Sequence, residues 1–451
     1  MQYARNIASG HGFSFNAGEP SYGVTSPLWV LFLTVPYYLG SDGFMFSKIL
    51  DLAFFILSVF VFFRLANIYW SDRKEIALLA LSVFIINAWV VRWTFTGMET
   101  SFAVLLVLTS FYLYFKGRYK LLFFILGAFQ LVRPESFVLS LIFFIFVIRK
   151  KIVTKNFSLK DTAIIILCYF AMLIPFLIYA YTYFGTILPN TALGKSTLTF
   201  SLTTIIIQLR EIFKTLSAAG IIEILLSVFF LVIFFWRDKK EEYYIPIVWI
   251  AGLIVLYTVT DADIISRYLL IISPFFILIG FNIFAKLKNL NLILLVTIYL
   301  IFTSFSEYVF YNYVKPHTDN FSKGVNECFI PIGKWLNENT PAGSKILLND
   351  VGAIGYYSNR YIIDAAGLVN KNLELNRKIM NTPLEKRMHT HMLLDVVKAD
   401  YVIDRDSSSA NELQSNNNIT LDLVFMKEFP GLGIKDDSPK YYKVYKVSYM
   451  K

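Results

Sequence analysis

The chain has 451 residues, of which 56% are hydrophobic, 17% aromatic and only 16% charged. A soluble domain carries nearer a quarter charged residues, so this balance excludes an ordinary globular protein and points to lipid as part of the solvent. The formal charge of +10 comes without a basic cluster interleaved with exposed aromatics, so it reads as loop charge that holds membrane topology, with no nucleic-acid partner.

Residues 1–25 are polar and glycine-rich and read as a loop outside the membrane. There His11, Asn16 and Glu19 either point into a cavity or belong to an ordinary ordered loop. Apolar runs follow at 26–40, 46–66, 76–96, 98–115, 120–132, 134–149, 161–183, 217–236, 244–260, 267–284 and 292–310. Each is long enough, or nearly so, to cross a bilayer, and only a helix satisfies its backbone there; about ten spans result. The basic stretches are Lys116–Lys120, Arg149–Lys160, Arg237–Lys240 and Lys286–Lys288. Assigned to the cytoplasm, they place the alternate loops and the C-terminal region outside. Counting back then puts residues 1–25 inside, unless one early run does not cross.

Charged groups at the outer face mark candidate site residues, because ionisable groups at span ends are costly to bury. Glu99 opens a run, where a helix dipole alone would favour a carboxylate. Arg133 and Glu135 flank a proline and form either a structural ion pair or a phosphate site. Asn190 and Lys195 follow a long run; Lys195 suits a lipid phosphate or simple snorkelling. Asp261, Asp263, Arg267 and Tyr268 suit an anionic ligand, a divalent metal or mutual neutralisation.

From residue 311 the apolar runs shorten, and 311–451 reads as a soluble α/β domain of about 130–140 residues. Helices are expected at Ile332–Glu338 and Leu384–Lys398. Strands are expected at Lys345–Asp350, Tyr361–Asp364, Asp400–Asp404 and Tyr441–Val447, with a glycine-containing turn after Asp350. The motif Asn349-Asp350-Val-Gly352-Ala-Ile-Gly355 lacks a third glycine and is no dinucleotide fingerprint. The expected architecture is therefore a polytopic α-helical membrane protein, spans within 26–310, with a C-terminal extracytoplasmic α/β domain.

Several of these stretches together resemble the GT-C superfamily of polytopic glycosyltransferases, in the branch of protein-O-mannosyltransferases and terminal arabinofuranosyltransferases. The resemblance rests on Tyr3-Ala-Arg5-Asn6 with Gly10-His11-Gly12, Asn16 and Gly18-Glu19, and on Thr25-Ser26-Pro27-Leu28-Trp29. It continues through Gly97-Met98-Glu99-Thr100, Arg133-Pro134-Glu135, Pro189-Asn190-Thr191 with Lys195, and Arg267-Tyr268. It implies transfer of a sugar from a polyprenyl-phosphate donor to a glycan, lipid or protein acceptor of the cell envelope, with membrane lipid around the spans. It also implies a general-base aspartate in an acidic pair ahead of Tyr3, at the end of a first helix. That pair would lie upstream of Met1, so residues 1–451 alone are expected to be inactive. The rival readings are a transporter or flippase of lipid-linked intermediates, which would need polar groups at mid-bilayer, and a non-catalytic polysaccharide-assembly protein.

Overall fold

The computed structural model describes residues 1–190, 201–234, 240–287, 290–371, 375, 379, 382, 389–410, 419–434 and 436–450. Lys195, Arg237–Lys239, Lys288 and residues 384–388 of the expected helix Leu384–Lys398 lie outside the described residues.

The first helix is α1 (Gln2–Ala8), where an irregular loop was expected. There follow α2 (Pro27–Tyr38), α3 (Phe44–Tyr69), α4 (Lys74–Ile86), α5 (Ala88–Trp93), α6 (Thr100–Phe115), α7 (Tyr119–Gln130), α8 (Ser136–Val153) and α9 (Leu159–Phe184). Then come α10 (Leu202–Phe234), α11 (Glu241–Val259), α12 (Ser266–Leu269), α13 (Ser273–Gly280) and α14 (Asn282–Lys286). Their starts carry local signals. Asn87 accepts the Trp89 and Val90 N–H groups at the head of α5, and Ser158 accepts that of Asp161 in α9. Pro27 pre-sets the first turn of α2. The chain leaves α9 through Gly185 in the left-handed region.

Among the described residues five helices are long and apolar enough to cross a membrane: α3, α9, α10, α11 and the helix that begins at Leu292. Shorter apolar helices, among them α6 and α7, pack between them. Large apolar side chains such as Leu167 and Ile293 remain 67% and 76% exposed on the bundle. Water would penalise that surface and lipid does not.

The early topology differs from a simple count of runs. The Leu28 N–H donates to the Leu131 carbonyl at 3.1 Å, while Tyr37 meets the soluble-domain residue Tyr356 through their hydroxyls, also at 3.1 Å. Phe44 packs edge-on against the same Tyr356 ring. Both ends of α2 therefore lie at one face of the bundle. The helix rests along that face instead of crossing, and residues 1–43 stay on the side of the soluble domain. The counting conflict disappears.

A second correction concerns 184–216, expected as a loop. Helix α10 already begins at Leu202, although Gln208, Arg210, Glu211 and Lys214 make its first turns polar, and it kinks at Gly220.

The last membrane helix does not stop at residue 310. From Leu292 it runs through two π-helical turns to Asn339 as one 48-residue rod, α15, and carries the bundle into the soluble domain. That domain holds a five-stranded sheet: β1 (Lys345–Leu348), β2 (Tyr361–Asp364), β3 (Tyr401–Asp406), β4 (Ile419–Phe429) and β5 (Lys440–Tyr449), in the order β2-β1-β3-β5-β4. Strand β1 is parallel to β2 and β3, whereas β5 is antiparallel to β3 and β4. Strand β4 had no sequence counterpart. The expected turn after Asp350 is the helix α16 (Val351–Ser358), and in place of a long helix before β3 a 3₁₀ turn spans Thr390–Asp395. Phe329 and Trp335 of α15 pack on Phe429 and Phe425 of β4, at 4.5 Å and 5.1 Å between ring centroids.

Candidate functional site

The face of the bundle beneath the soluble domain gathers polar side chains from four separate stretches. The turn before α6 is fixed first. Gly97 has φ +77°, and a Cβ there would sit 2.4 Å from Ser47 Oγ, so a larger residue would strain the backbone and displace the Ser47 hydroxyl. Asp51, fully buried in α3, accepts the backbone N–H groups of Thr96 (2.9 Å) and Gly97 (3.2 Å) and the Thr96 hydroxyl (3.3 Å). This clamp sets the direction of the following Met98 and Glu99.

Glu99 and Glu135 both stand at helix N-caps, of α6 and α8, yet neither makes a side-chain cap hydrogen bond. Both turn to Arg133, which is 4% exposed. Its guanidinium lies 3.4 Å from a carboxylate oxygen of each. Tyr257, from α11, donates its hydroxyl to Glu135 at 2.9 Å. Burial opposes the charge of Arg133, but Glu99 and Glu135 outweigh it and hold its pKa above the ordinary value. Even so, Arg133 Nε and Nη2 are buried without a hydrogen-bond partner.

Tyr268 joins this triad to Arg267. Its ring centre lies 5.1 Å from each of the two guanidinium carbons. Arg267 is bound weakly: Nη1 donates to the Met98 thioether at 3.1 Å, Nη2 to the Tyr268 hydroxyl at 3.3 Å, and its buried Nε meets nothing. Among the described residues Arg267 has no carboxylate partner, whereas Arg133 has two. The next residue back, Ser266, accepts the Trp93 indole N–H at 2.9 Å. A cation with no carboxylate partner among the described residues and an unused buried donor, beside a second arginine whose Nε is also unused, has the chemistry to receive a small anion.

The structure thus brings together Glu99, Arg133, Glu135, Arg267 and Tyr268. Asp261 adopts a positive φ and accepts the Gln208 amide at 2.5 Å, and Asp263 is exposed. No group of three or more His, Cys, Asp or Glu side chains placed to hold a metal occurs among the described residues.

The N-terminal candidates go elsewhere. Asn16 donates to the Ile362 carbonyl and accepts the Ile362 N–H, each at 2.9 Å. It therefore completes the free edge of β2 as another strand would. Glu19 accepts the Tyr361 hydroxyl at 2.8 Å; burial first, and then this carboxylate, push that phenol up to about 12. His11 is exposed and takes part in backbone contacts with Asn6 and Ser14. Arg5 donates to the Tyr356 carbonyl at 3.1 Å and lies over its ring. Asn190 has the same kind of role, donating to the Leu368 and Asn370 carbonyls while its N–H reaches Tyr22. These residues lock the soluble domain onto the bundle. Asn16→Ala is expected to destabilise that lock by about 2–3 kcal/mol, since two buried backbone groups lose their partner. Limited proteolysis would read it as faster cleavage within 10–25; an unaltered cleavage rate would remove Asn16 from the lock.

Sequence reasoning missed Tyr257 and Asp51. Tyr257 is one aromatic within an apolar run and carries no signal. Asp51 does, being an isolated carboxylate inside a span.

Residues 320–446 match a family model described as a domain of unknown function, DUF8728. No curated protein matches the chain. Among solved structures, ArnT from Cupriavidus metallidurans in its apo state superposes with a TM-score of 0.58 over 98% of this chain and 92% of that one, at 9% identity. At that identity the likeness concerns architecture: the chain has the GT-C fold, a helical membrane bundle followed by a small sheet domain.

Proposed function

We propose that this GT-C-fold chain transfers a sugar from a polyprenyl-phosphate carrier to an acceptor at the membrane face that bears the soluble domain, and that this face is extracytoplasmic. The carrying observation is Arg267, a cation at the bundle face with a buried unpaired Nε and, among the described residues, a thioether and a phenol as its hydrogen-bond acceptors. A phosphate tethered to a lipid tail supplies what that guanidinium lacks, and arrives from the membrane side.

In the reaction a carboxylate base takes the proton of an acceptor hydroxyl, whose oxygen attacks the anomeric carbon as the carbon–oxygen bond to phosphate breaks; the base role is assigned to none of residues 1–451. Negative charge then grows on the departing phosphate. Arg267 and the unused Nε of Arg133 stabilise that charge, and because both are already in place they need little reorganisation. Glu99 and Glu135 hold Arg133, Tyr257 holds Glu135, and Tyr268 spaces the two guanidinium groups. Lys195 is proposed as a further phosphate partner, and Asp261 and Asp263 as carboxylates at the rim. The acceptor is a glycan, lipid or protein of the envelope. The orientation rests on the basic residues Lys116–Lys120 and Arg149–Lys151, which lie at the opposite ends of α6 and α8 from Glu99 and Glu135.

The test is a titration of the purified protein in detergent with a polyprenyl monophosphate, and separately with the uncharged polyprenol. Saturable binding of the phosphate alone is expected. Equal affinity for the alcohol would mean that the site reads only the tail, and the proposal would fail.

A further inference from the structure

A second basic site lies at the far end of the bundle. We infer that the cavity between the α6–α7 turn and the start of α9 binds the phosphate headgroup of an anionic membrane lipid. The cavity measures about 350 Å³ and is lined by Arg118, Lys120, Lys151, Asp161, Leu121 and Ile165, among others. Three cations thus face one carboxylate. Lys151 is the one that Asp161 neutralises, at 3.4 Å. Arg118 and Lys120 have no carboxylate partner among the described residues. Their basic neighbours are engaged: Lys150 pairs with Glu241 at 2.7 Å, and Lys116 lies over the Tyr112 ring.

Two further features suit a phosphate on a lipid. Helix α7 opens at Arg118 with no side-chain cap, so its first N–H groups and its positive dipole end are available to an anion. The wall is amphiphilic: Leu121 is half exposed, and Phe124 on α7 and Leu167 and Phe170 on α9 carry exposed apolar surface onward along the same two helices. Those helices touch closely where Gly127 meets the Tyr169 carbonyl, giving an acyl chain a continuous seam to lie on. A loop whose charge only sets topology needs neither a concavity nor an apolar wall. Basic pockets between membrane helices are a recurrent home for anionic headgroups.

Native mass spectrometry of the intact protein, released from nanodiscs of mixed phosphatidylglycerol and phosphatidylcholine, tests this. One retained phosphatidylglycerol is expected. In the double variant Arg118→Gln/Lys120→Gln its affinity should fall by about 25-fold, each basic residue near an anionic headgroup being worth roughly fivefold. Lys116→Gln, adjacent but outside the cavity, should leave retention unchanged, and melting curves of the variants should overlay on the parent. Equal retention by the double variant overturns the inference. So does an equal loss in Lys116→Gln, which would indicate diffuse surface charge, or displacement by inorganic phosphate, which would indicate a site for the free ion.

Discussion

Arg133→Ala is expected to cost about 3–5 kcal/mol of stability, the usual range when one partner of a buried ion pair is deleted. The reason is what it leaves behind. Glu99 and Glu135 have side chains only 12% and 13% exposed. They would then face each other's charge with no cation between them, and Tyr257 alone would hydrogen-bond to Glu135. Chemical unfolding in detergent, without any lipid ligand, should show the loss directly. Arg133→Lys should recover part of it, since an ammonium restores the charge but not a planar group able to lie against Tyr268. The informative variant is the triple Arg133→Ala/Glu99→Gln/Glu135→Gln. With both carboxylates neutral it should regain most of the lost stability, because the penalty belongs to the uncompensated charges and coupled sites do not add. If the triple variant were as unstable as Arg133→Ala, packing and not charge would explain the role of Arg133.

Much of this arrangement was legible before any coordinates, and the exceptions have physical causes. The apolar runs and β1, β2, β3 and β5 follow from hydropathy and alternation, which are properties of single segments. Glu99, Arg133, Glu135, Arg267 and Tyr268 were legible because ionisable groups at span ends are costly, so they stand out from an apolar background. Helix α2 was misread because its residues are apolar enough to enter lipid; only its contacts with Leu131 and Tyr356 show that it lies flat. Asn16 and Glu19 were flagged as polar, but a side chain that pairs with a distant backbone leaves no pattern at its own position. Strand β4 was missed because it lies at the sheet edge, with Asp422, Lys427 and Glu428 breaking its alternation. Helix α16 was hidden by Gly352 and Gly355. At Gly355 an added Cβ would come within 3.1 Å of the Phe15 ring, a close approach made by the N-terminal stretch and not by a turn.

The two arginines that flank Tyr268 should separate cleanly when each is removed, and Arg267→Ala is the sharper half of that comparison. Without a carboxylate partner, Arg267 contributes little to the folded state: a contact to a thioether and a long hydrogen bond to a phenol are weak. Its loss should leave the unfolding curve within about 1 kcal/mol of the parent, as for a side chain held by weak contacts and one ring face. Affinity for a polyprenyl phosphate should nevertheless drop by roughly 10- to 100-fold, the range for losing a charge-assisted hydrogen bond. Arg267→Lys should fall between, because a point charge reaches the phosphate without the bidentate fork. Met98→Leu removes the thioether acceptor while preserving volume, so it should leave phosphate affinity intact if Arg267 is held free for the ligand. The opposite pattern, a destabilised Arg267→Ala that still binds phosphate with parental affinity, would make Arg267 a structural residue. It would also leave the donor site without its principal cation, since Arg133 already has two carboxylates to balance.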